Sequence, residues 1–232
     1  MIGNFNLTKD EIIHVLVGQK GEKESFNSKT AGGGGGTFVV KGNNKSLIIA
    51  GGGGGIKNVL EQHPGCDASI NTTGNGGYNL PLGSGGSNGN GGKASTKYSG
   101  TRRKKKKTKQ SVGSIHQDKR TTTTASQFSF IVGSGGGGFY SNGQSASSGS
   151  GREGKGYLQG GEGGDGKGGF GGGGSLRWNR GAGGGGGYSG GDGGANEEFY
   201  CGGGGGRGGE DLLTMGQISK MNVVLIGMDM VE

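Results

Sequence analysis

Two stretches come close to a phosphate-binding loop. Gly149 to Lys155 (GSGREGK) and Gly161 to Lys167 (GEGGDGK) both approach GxxxxGK. Gly156 and Gly168 stand where a Ser or Thr hydroxyl would hold magnesium, and neither stretch leads into an apolar helix. With 66 glycines in 232 residues such near-matches arise by chance, so nucleotide binding is not expected. The three histidines, His14, His63 and His116, lie in unrelated contexts, and no carboxylate pair or nucleophile–base arrangement is visible. The residues predict no enzyme site, no metal site and no cofactor.

Three other groups could carry chemistry. Cys66 and Cys201 are the only cysteines, 135 residues apart. Their separation fits no metal-ligand spacing, and it leaves open both a long-range disulfide and a pair of free thiols. Asn6, Asn44 and Asn71 each head an N-x-S/T triplet, the acceptor pattern for N-glycosylation, in sequence rich enough in Asn, Ser and Thr to produce such triplets by chance. Arg102 to Lys109 (RRKKKKTK) is a polycation that would suit nucleic acid or another polyanion. No aromatic residue interleaves the charges as base stacking would require, so a solvated loop is the preferred reading and nucleic acid is not the expected partner. Segment 97–120 holds ten Lys or Arg against one Asp, a local +9, whereas the whole chain carries +8. The remainder is therefore close to neutral, and the overall basicity says little about its partner.

The elements that would position these groups are short and unusual. The chain is only 27% hydrophobic and 6% aromatic, while an average soluble protein is about 7% Gly. A large side-chain core is excluded. Glycine loses more conformational freedom on folding than any other residue, so its tracts are either disordered or locked by something other than side chains. Ile12 to Val17, Thr37 to Lys41 (TFVVK) and Ser46 to Ala50 (SLIIA) read as strands from their β-branched enrichment, the last two joined across Gly42-Asn43-Asn44-Lys45 as a hairpin. Phe128 to Val132 (FSFIV) restarts the strand pattern, and Asn222 to Ile226 is a further candidate after a short helix.

No helix-period segment of convincing length occurs between Gly18 and Gly209. One way to order the glycines is the extended helix with three residues per turn, whose outward donors bond to neighbouring helices when no side chain intervenes. Collagen itself is excluded, because the glycines form continuous runs and only two prolines are present. The N-terminus, with Lys9, Asp10 and Glu11 ahead of a short apolar run, does not read as a signal peptide. The apolar run MNVVLIGM is too short to span a bilayer, which needs about 20 residues.

The order of these pieces carries a resemblance. FNLTKDEIIHVLVGQKGE, then AGGGGGTFVVK, then SLIIAGGGGG, and finally GGFGGGGSLRWNRGAGGGGGYSGGDGG resembles the glycine-rich extracellular domain of the anaplastic lymphoma kinase and leukocyte tyrosine kinase receptors. The resemblance covers Asn4 to Ile56 and Gly160 to Gly194, with a weaker echo in Gly74 to Gly92 and Gly135 to Tyr140. It implies a mainly β fold, in which strands of a tumour-necrosis-factor-like sandwich surround a bundle of packed polyglycine helices. The helices would come from Gly32, Gly33, Gly34, Gly35 and Gly36; from Gly51, Gly52, Gly53, Gly54 and Gly55; from Gly171, Gly172, Gly173 and Gly174; and from Gly183, Gly184, Gly185, Gly186 and Gly187.

Residues 1–92 would form the first part of this domain, 93–126 a disordered basic insert, 127–209 the second part, and 210–232 a tail of unassigned structure. The resemblance further implies a cell-surface location, a secreted cytokine ligand and receptor homodimerisation upstream of a transmembrane tyrosine kinase. The chain itself carries no HRD, DFG or VAIK signature. It therefore reads as the non-catalytic ectodomain part of such a receptor, or as a free-standing structural or adhesive relative.

Overall fold

The computed structural model describes residues 3, 5–23, 30–58, 63–78, 85–95, 133–146, 151–176, 181–195 and 200–209. The run Arg102 to Lys109, the FSFIV segment, Trp178, Phe199 and the tail with Asn222 to Ile226 lie outside these residues.

Strand β1 (Ile13–Leu16), β2 (Thr37–Lys41) and β3 (Lys45–Ala50) form an antiparallel sheet in that order. The β2–β3 turn closes with the Asn44 N–H donating to the Lys41 carbonyl at 2.9 Å, and Asn44 takes φ 63°, a left-handed value that asparagine tolerates better than most residues. Pairing runs Val39 to Ile48 and then Val40 to Ser46, so Leu47 is an extra residue on β3. This bulge lets the consecutive Leu47 and Ile48 join one cluster, with Val39 and the half-buried Phe5, Leu7 and Ile13. The other face gathers Phe38, Val40 and Ile49 against Phe139, with Leu16, Tyr157 and Tyr188 packed on them. The Phe139 ring stacks on Tyr157 at 5.2 Å between centroids. A second, two-stranded sheet pairs β4 (Ile56–Lys57) with β5 (Tyr200–Cys201).

The rest of the architecture corrects the sequence expectation. Among the described residues there is no sandwich of strands and no bundle of polyglycine helices; the only helical turns are the three-residue pieces Tyr157–Gln159 and Gly164–Gly166. The physical reason lies in where each glycine sends its N–H. Gly33 donates to Gly174, Gly34 to Gly53, Gly35 to Gln19 and Gly36 to Gly171, so four successive residues bond to three different segments. In the tract 183–187, Gly184, Gly185, Gly186 and Gly187 likewise reach three segments, through Ser134, Gly203, Gly34 and Gly137. An α-helix needs its donors to recur along its own chain, and a ladder needs them to recur against one partner at every second residue. Here each donor turns to a different segment from the one before it, and the same segment returns only at every third residue, as when Gly33 and Gly36 both reach 171–174. The tracts interlock as a net of main-chain bonds, and that net takes the place of a conventional core.

Close approach is what glycine supplies. A Cβ built on Gly33 would meet the Gly184 carbonyl, one on Gly54 the Gly202 carbonyl, and one on Gly191 the Gly203 carbonyl, each well inside 3.0 Å. Small polar residues fill the joints. Buried Ser134 donates its hydroxyl to the Gly151 carbonyl at 2.9 Å, and Ser189 donates to Thr72 at 2.6 Å.

Candidate functional site

The Cys66 and Cys201 sulfurs are joined in a disulfide. Around it, the Gly54 N–H donates to the Cys66 carbonyl at 2.8 Å, and Cys201 pairs with Ile56 at the end of the same glycine tract. The bond therefore links two tracts that already touch through their backbones. The three acceptor asparagines, Asn6, Asn44 and Asn71, are all exposed on the surface.

The two loops that approach GxxxxGK have spent much of the hydrogen bonding a phosphate would need. Gly154 donates its N–H to Gly135, Lys155 to Glu162, Gly164 to Gly173, and both Lys167 and Gly168 to Gly164. The Lys155 ammonium sits 2.7 Å from Glu153 Oε1, and the Lys167 ammonium 3.5 Å from Glu22 Oε2. These segments are joints of the glycine net.

One titratable group sits deep in the net. Asp192 is 2% exposed, and its Oδ1 accepts the Lys93 N–H at 2.6 Å while its buried Oδ2 has no partner among the described residues. Its own N–H donates to the Asn75 carbonyl, and its carbonyl accepts from Gly203. Burial pushes this carboxyl up to about 7, against the smaller opposing effects of the Lys93 N–H bond and the Lys93 charge. The neighbouring Gly193 N–H donates to the Lys93 carbonyl at 2.9 Å, and the Gly194 carbonyl accepts the Gly133 N–H at 2.8 Å. The tripeptide 192–194 thus grips the chain at Lys93 and again at Gly133. Nothing in GGDGG marks Asp192 as buried. Its signal is three-dimensional.

A stability profile should reveal it. The folded carboxyl holds its proton more tightly than the unfolded one, so the folded protein binds more protons between the two values and stability falls as pH rises. The loss starts near the ordinary aspartate value of 3.8 and is complete above about 7. A shift of this size corresponds to roughly 4 kcal/mol. Denaturant unfolding of Asp192→Asn across the same range should show a flatter profile and a more stable protein on the alkaline side. An unchanged profile would remove Asp192 from the account.

The exposed surface near the aromatic cluster carries Tyr140 and Leu158, and the Gln159 side-chain amide donates to the Tyr140 carbonyl at 3.0 Å. No group of three His, Cys, Asp or Glu side chains that could hold a metal ion occurs among the described residues. Nor is any helix there long and apolar enough to cross a membrane. Comparison with family models, curated proteins and solved structures finds no match for the chain.

Proposed function

We propose that this chain is a non-catalytic extracellular recognition domain of receptor-tyrosine-kinase type, which binds a secreted protein ligand and assembles receptors upstream of a transmembrane kinase. The observation that carries the extracellular part is the Cys66–Cys201 disulfide, because such bonds persist in oxidising compartments and are rare in the cytosol. The exposed positions of Asn6, Asn44 and Asn71 support the same reading, since a glycan needs surface. The signalling part rests on the order of the strand and glycine motifs. A net fixed by main-chain bonds suits recognition, because it holds surface residues in place at little further entropic cost on binding.

A free-standing structural or adhesive module is the second reading, favoured by the uncovered apolar residues Val15 and Val17 at the edge of the larger sheet. Sequencing the transcript on both sides of the reading frame separates the two. A downstream membrane-spanning segment followed by kinase signatures is the expected result. Stop codons bracketing the frame would overturn the signalling part and leave the adhesive module.

A further inference from the structure

Strand β1 is paired on one side only. The Gly42 N–H donates to the Ile12 carbonyl, and the Gly18 N–H to the Thr37 hydroxyl at 3.0 Å, which fixes the alternation along the strand. Even-numbered residues turn their main-chain groups towards β2. Ile13, Val15 and Val17 turn theirs away from it, and no described residue bonds to those outward groups.

The side chains of Val15 and Val17 are 55% and 59% exposed beside them. Sheet edges are ordinarily protected by a proline, a lysine, a bulge or a covering segment. Ile13 to Val17 contains no proline and no lysine, and its pairing with β2 runs without a register shift. His14, exposed, is the one titratable residue in the strand.

We propose that the outer edge of β1 is a self-recognition surface, at which two copies of this chain pair antiparallel about a two-fold axis through Val15. In that register Val15 lies opposite Val15 of the second copy and Ile13 opposite Val17, so the outward main-chain groups of the three residues satisfy each other. The side chains that meet are apolar and β-branched, the kind that stabilise cross-strand pairs. An arbitrary extended peptide would carry no such built-in match. A second copy does. The inference does not rest on the signalling reading, since a receptor domain and an adhesive module could both use this edge.

Light scattering on the full chain over a wide concentration range is the test. A monomer–dimer equilibrium that stops at two copies is expected. Val15→Lys and Val15→Glu each set like charges face to face and should weaken the dimer about tenfold or more. An equimolar mixture of the two variants should recover it, because only this register places position 15 against itself. Ile56→Lys, a change at an exposed residue of β4, should leave it unaltered. A chain that stays monomeric throughout, a dimer indifferent to both Val15 variants, or an assembly that grows beyond two copies would each overturn the proposal.

Discussion

Gly185→Ala is expected to abolish cooperative unfolding, while Gly53→Ala leaves it intact. The two glycines lie in tracts that touch, yet their surroundings differ. A Cβ on Gly185 would drive into the Gly52 carbonyl and come within 2.8 Å of the Gly53 carbonyl. Gly52 is already the acceptor for the Gly205 N–H at 2.8 Å, and Gly185 donates to Gly203 at the same distance. Relieving the clash must stretch at least these two buried bonds. Overpacking alone costs about 1–3 kcal/mol, and each buried group left unpaired adds about 1–3 more, so roughly 4–6 kcal/mol is at stake. That is comparable to the whole stability of many domains.

At Gly53 the nearest atom to the new methyl is the Cys66 carbonyl oxygen at 3.5 Å, an ordinary contact, and Gly53 lies outside the left-handed region. Losing glycine there also removes freedom from the unfolded chain, which favours folding by about 0.4–1 kcal/mol. Thermal melts of the two variants beside the parent decide the matter. Equal midpoints for all three would mean that close main-chain approach does not hold this protein together.

The second large effect belongs to the disulfide. Cys66 and Cys201 are 135 residues apart, so their bond closes most of the chain into one loop. In the chain-entropy account a loop of that length is worth about 5 kcal/mol against the unfolded state. Cys66→Ser, Cys201→Ser and the double variant should each lower stability by about this amount. Because either single change breaks the same bond, the double change should cost little more than either one. Urea unfolding measures all three. A double variant within about 1 kcal/mol of the parent would show that residual structure restricts the unfolded chain nearly as much without the bond as with it.

Legibility in the sequence divides along the same physical line. Thr37 to Lys41 and Ser46 to Ala50 announce themselves because their side chains are the cause of their strands, and the structure places β2 and β3 there, with β3 beginning one residue earlier. The glycine tracts are just as easy to find and far harder to interpret. A side chain's pattern tells which face is buried, but a run of identical residues without side chains carries no periodicity. The expectation of a polyglycine bundle could place the tracts but not name their neighbours; Gly33 to Gly36 bond to three segments remote in the chain. Phe139 shows the limit from another side. Preceded by Gly135 to Gly138, it is apolar but isolated, and its burial beneath Tyr157 and Tyr188 depends on contacts remote in the chain.

Asp192 to Gly194 hold the main chain at Lys93 and at Gly133, so two points remote in sequence are fixed against one tripeptide. The entropic cost of joining two fixed ends grows only with the logarithm of the length between them, about 0.6 kcal/mol for each doubling. The fold is accordingly almost indifferent to how much sequence is spliced between those ends, or of what kind.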